Sequence, residues 1–165
     1  MPMRRLSLLL FLLLASYGFP QSPSQGETTC TFADGKQVTL RYPQIPHENK
    51  AELPDGNPWP ADNLPIYLFT QTSLTIGNVN VPAGAYGVYT IPEKKNAWDL
   101  VVTRDVKQDG QYDKSQDVGR VPMQTGQLSD SSPTLRAYFG HVAPQTCTLR
   151  LDYGKERGYT DFKEK

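Results

Sequence analysis

Two histidines, His47 and His141, are the only side chains of this 165-residue sequence whose ordinary pKa lies near neutrality, so any general acid–base chemistry at neutral pH would fall to one of them. Neither stands in a recognisable motif. The sequence holds no G-x-S-x-G, H-E-x-x-H, phosphate-binding Gly loop or Rossmann fingerprint. A triad can still assemble from distant residues, because geometry rather than chain order defines it. Asp105, Asp109, Asp113 and Asp117 recur every fourth residue around Gly110. On a helix they would form a repelling stripe, and they lack the alternating spacing that wraps calcium, so they read as a solvated loop without a metal. No cofactor is implied. Trp98 alternates with Leu100 and Val102 and reads as core, whereas Trp59, between Pro58 and Pro60, either presents an exposed ring to a ligand or folds back over the sheet. Trp59, His47 and His141 are therefore the candidate ligand-binding residues.

Cys30 and Cys147 are the only cysteines, and their meaning depends on compartment. Met1 to Gly18 has the layout of a secretory signal: Arg4 and Arg5, an apolar run from Leu6 to Ala15, then small residues. That run is about half of what a membrane span needs. The sequence thus divides into a signal peptide at 1–18, a disordered segment at 19–27 and a domain at 28–165, exported to the periplasm or beyond, with no membrane span once the signal is removed. In an oxidising compartment an even pair of cysteines reads as a Cys30–Cys147 disulfide, with two buried thiols as the alternative.

Charge narrows the partners. Lys and Arg number 17 against 17 Asp and Glu, and no basic cluster stands out along the sequence, which argues against nucleic acid. A protein or glycan remains the partner to consider.

The positioning elements read as strands. Cys30 and Phe32, then Val38, Leu40 and Tyr42, alternate with polar residues around Asp34-Gly35. Only an odd-length loop puts both sets on one face, so Ala33-Asp34-Gly35 is predicted as a three-residue turn with Gly35 at positive φ. Six prolines between Pro43 and Pro65 exclude a regular ladder through that segment. Further strands are predicted at 66–70, 73–76, 79–81, 86–91 (stopped by Pro92), 98–103, 118–123, 134–141, 145–153 and 159–163. Short strands with turn signals and no 3.6-residue repeat indicate one all-β domain, an antiparallel β-sandwich or jelly-roll-like barrel.

The run L-T-I-G-N-V-N-V-P-A-G-A-Y-G-V-Y-T-I-P from Leu74 to Pro92 carries a family resemblance. With it go A-W-D-L-V-V-T-R at 97–104, Y-D-K-S-Q-D-V-G-R-V at 112–121 and G-K-Q-V-T-L-R-Y at 35–42. Together they resemble the exported bacterial proteins known as domain of unknown function 2911. The resemblance implies an exported all-β domain with no established activity. Members carry a Trp-Arg-Thr-Gly segment and a nearby Glu where this sequence reads D-N-L-P-I-Y-L-F-T-Q-T at 62–72. No site residue is carried over.

Three functions fit these residues: a non-enzymatic binding module using the 43–65 loop, a hydrolase built on a loop histidine and carboxylates, or a structural component of the cell envelope. The missing catalytic motifs favour a binding or structural module. Export gives the first test: Edman sequencing of the exported protein should read from near Phe19, and an intact Met1 would contradict the signal.

Overall fold

The computed structural model describes residues 24–48, 52–60, 64–93, 97–106 and 112–165. The predicted signal peptide, together with residues 19–23, Asp109 and Gly110, lies outside the described residues. Nine strands form, and no α-helix occurs among the described residues. They are β1 (Gln25–Thr31), β2 (Gln37–Pro43), β3 (Ile66–Thr70), β4 (Leu74–Ile76), β5 (Val79–Val81), β6 (Gly84–Glu93), β7 (Ala97–Thr103), β8 (Asp117–Ala143) and β9 (Thr146–Glu164). All pair antiparallel in the order β1-β2-β3-β6-β7-β8-β9-β4-β5.

The first hairpin follows the predicted register. Cys30 lies opposite Val38, the Phe32 N–H donates to Lys36 O at 2.8 Å, and Gly35 takes φ +90°. β1 starts at Gln25, inside the segment expected to be disordered, because Gln25 pairs with Pro43 and the Gln44 N–H reaches Ser24 O. Pro92 does not stop β6, which runs on to Glu93. The neighbouring Thr90 N–H points away from β7, to Trp59 O, so by alternation the donor Pro92 lacks would also fall outside the β6–β7 ladder.

The long strands need a closer reading. Twenty-seven residues of straight strand would span about 90 Å, roughly twice the width of a domain this size. β8 accordingly breaks register between Gln127 and Ser132. β9 folds back at Gly154, whose φ of +57° suits a turn. Three contacts on one diagonal establish the fold-back: the Glu164 N–H donates to Gln145 O at 2.8 Å, Thr148 Oγ1 donates to Asp161 at 2.7 Å, and Arg157 Nε donates to Asp152 at 2.6 Å. The β9 hairpin lies between the two arms of β8, with 124–127 beside its second half and 132–143 beside its first.

The sheet then curls until β1 meets the 132–143 arm. The two run in the same direction, since Thr28 Oγ1 accepts from the Phe139 N–H at 3.0 Å and the Ala33 N–H donates to Pro144 O at 2.9 Å, both across a separation of 111 residues. No continuous backbone ladder joins them, so the hydrogen-bonded sheet stays open along this seam. The Cys30–Cys147 disulfide, with a Cα–Cα distance of 6.4 Å, ties β1 to β9 beside it. One core fills the interior, including Phe32, Val38, Leu40, Leu68, Trp98, Leu100, Leu149, Leu151 and Phe162.

Because the disulfide links residues 117 apart, replacing both cysteines with Ser should lower stability by up to about 4–5 kcal/mol. The measurement is a urea unfolding curve; an unchanged midpoint would contradict the role of the bond.

Candidate functional site

The proline-rich segment covers edges that the strands leave bare. β3 pairs with β6 only from Gly84 to Val88. Beyond that, Trp59 exchanges both backbone hydrogen bonds with Thr90 at 2.7 Å, and the Gly56 N–H donates to Pro92 O at 2.7 Å. At its other end the segment docks on β8: the Leu135 N–H donates to Ile45 O at 2.7 Å, and the His47 N–H to Pro133 O at 2.8 Å. Prolines cannot sustain a long ladder, but they leave the neighbouring donors free for these isolated bridges. The segment therefore spans one end of the core, pinned on β8 and on β6.

Tyr153 stands in the middle of that span. Its hydroxyl donates to Pro46 O at 3.1 Å. The His47 ring meets it edge-on at 4.9 Å between centroids, and the Trp59 ring leans on it at 4.7 Å and 50°. The glycine at 154 makes room, because a Cβ there would run into the His47 imidazole. Burial first, and the nearby Glu48 carboxylate second, raise the Tyr153 pKa above the usual tyrosine value. His47 and Trp59, both partly exposed, thus pack over the buried Tyr153, with a carboxylate nearby. Trp59 is partly buried and packs against the core. Trp98 is core, at 3% exposure.

His141 lies elsewhere. It is exposed and pairs with Cys147 at the far end of β8. Pro133, where His47 docks, is eight residues back along β8, or about 26 Å of strand. The two histidines therefore cannot share one site.

Of the aspartates, Asp105 and Asp113 line one shallow pocket with Arg104, Val106 and Gln116. Asp113 caps a 3₁₀ turn at Lys114–Gln116 by accepting from the Ser115 N–H. Asp117 accepts from the Tyr112 hydroxyl at 2.7 Å and from Arg120 Nε at 3.3 Å. Among the described residues no three His, Cys, Asp or Glu side chains group as metal ligands. Tyr112 covers Tyr89, Ile91 and Val101 in a small second core on the outside of the sheet. Burial, followed by the Asp117 carboxylate, pushes its pKa up to about 12.

A second polar cluster joins residues that no sequence motif connects. Asp152 is 4% exposed and is gripped by Arg157 through two hydrogen bonds, at 2.6 and 2.8 Å, while a third from Arg157, at 2.6 Å, reaches the Tyr138 hydroxyl. Its members come from positions 138, 152 and 157, so no local motif could announce it. The one available signal was alternation, which places Arg150 and Asp152 on the face opposite Leu149 and Leu151.

The neutral form of Tyr112 is favoured by folding, so its contribution is complete below the ordinary tyrosine pKa and is lost as pH rises from about 10 to 12. Tyrosinate absorbance should show a component titrating near pH 12 that Tyr112→Phe removes, apart from the raised Tyr153, with stability falling over the same interval. Titration of every tyrosine near pH 10 would contradict this.

No curated protein and no solved structure matches the sequence. A family profile described as "Protein of unknown function (DUF2911)" matches residues 24–160, from just before β1 into the second half of the β9 hairpin. By that match the chain belongs to the DUF2911 family.

Proposed function

We propose that this protein is an exported, non-enzymatic binding module that takes a protein or glycan partner at the surface that His47, Glu48 and Trp59 build over the buried Tyr153. The observation that carries the reading is the convergence of the His47 and Trp59 rings on Tyr153 at one end of the core. A partly exposed indole beside a carboxylate and an imidazole offers both a stacking surface and hydrogen-bonding groups, the combination that polar ring-bearing ligands require. The surface is also largely preformed. Backbone hydrogen bonds hold its supporting segment at Ile45, His47, Gly56 and Trp59, so little conformational entropy is left to lose on binding. Export rests on the signal-like residues 1–18, with which the disulfide is compatible.

A panel of immobilised glycans and envelope proteins, probed with the disulfide-intact protein, tests the reading. Trp59→Ala should weaken capture by about tenfold or more. Because the ring also covers part of the core, the same change should lower stability by about 1–2 kcal/mol. Trp59→Phe, which retains a ring, should recover most of the stability and part of the binding. Stability loss without any effect on capture would assign the ring to core cover alone.

A further inference from the structure

The β9 hairpin turns Cys147, Leu149, Leu151 and Phe162 to the core, so Thr148, Arg150 and Asp152 face the other way. On that outer face a row crosses three strands. Tyr138 lies opposite Arg150 on the β8–β9 ladder, and the fold-back diagonal that joins Thr148 to Asp161 and Asp152 to Arg157 sets Tyr159 on the other side of Arg150. The Arg150 guanidinium sits 5.8 Å from the centre of the Tyr138 ring, and Arg157 approaches the same ring at 5.9 Å.

The charges on this face are unevenly matched. Asp152 gives both carboxylate oxygens to Arg157 and holds that guanidinium's pKa above its ordinary value. Asp152 is therefore already engaged where Arg136 pairs with it across the ladder. Among the described residues, neither Arg136, which is exposed, nor Arg150, which is partly exposed, forms an ion pair. They occupy diagonal positions, roughly 7–8 Å apart at the backbone. Two unmatched guanidinia beside a Tyr-Arg-Tyr row make a surface that is cationic and aromatic at once.

We propose that this face binds an acidic glycan, with sugar rings on Tyr138 and Tyr159 and a uronate or sulfate group on Arg136 and Arg150. Tyrosines two strands apart are separated by about 9.6 Å, a span that suits neighbouring sugar units better than a single small anion. A guanidinium pinned over a ring has fewer orientations to lose when it meets a planar carboxylate. The short patch on a chain of balanced charge, 17 basic against 17 acidic residues, offers no extended track for nucleic acid. This surface is separate from the Trp59 cluster and does not depend on the role proposed there.

The test is titration of the disulfide-intact protein with polygalacturonate, with neutral dextran, polyglutamate and duplex DNA as comparators. Polygalacturonate should bind and weaken with salt, and each comparator should bind at least about tenfold more weakly. Arg150→Gln and Tyr159→Ser should each reduce binding by about tenfold, and Arg150→Lys by less, with melting temperatures unchanged. Arg41→Gln, a surface control on β2, should leave it intact. No binding of polygalacturonate, equal binding of polyglutamate or DNA, or indifference to both Arg150→Gln and Tyr159→Ser would overturn the proposal.

Discussion

The fold depends on a seam that backbone hydrogen bonds do not close. β1 and the second arm of β8 lie side by side in the same direction, yet the contacts between them are a threonine hydroxyl on the Phe139 amide and a turn contact from Ala33 to Pro144. Parallel neighbours usually arise through long crossovers with a full ladder. Here 111 residues of antiparallel sheet intervene, and the seam gains strength from side chains and one covalent bond. Cys30–Cys147 anchors β1 to the β9 hairpin, whose inner face supplies Leu149, Leu151 and Phe162 to the core. Without that anchor the curled sheet would keep its ladders but expose an edge and part of its core along the seam.

The same open geometry explains where the candidate site lies. β3 is too short to cover all of β6, and the 132–143 arm of β8 has free backbone beyond β1. The proline-rich segment answers both needs, bonding to β8 through Ile45 and His47 and to β6 through Gly56 and Trp59. Because it must bridge from one to the other, it passes over Tyr153, and two of its large rings settle there. Edge protection and the aromatic surface are consequences of one path of the chain.

The sequence made much of this legible, for identifiable reasons. Alternation and turn residues determine the first hairpin down to the odd loop length, and alternation separated the strands now seen as arms of β8 and β9. What it could not convey was their arrangement. The fold-back at Gly154 brings Arg157 to Asp152 and Tyr159 to Arg150, pairs defined by a diagonal rather than by spacing from any motif. Pro92 misled as a strand stop because proline ends a strand only where the missing N–H would have joined a ladder. Trp59 packs against the core because its segment bonds back onto Thr90, a contact that its flanking prolines alone do not announce. Tyr153, sited amid core residues in the alternation, gave no sign of meeting His47, because their contact exists only once the segment docks on Pro133.

Amide hydrogen exchange, compared before and after gentle reduction of the disulfide, tests the dependence on the seam most directly. The amides of Phe139, Leu135 and His47 should lose protection on reduction, while those of Val88, Leu100 and Val102 within the β6–β7 ladder keep theirs. Equal protection at the seam in both redox states would show that the side-chain contacts suffice without the covalent tie, and would contradict the account.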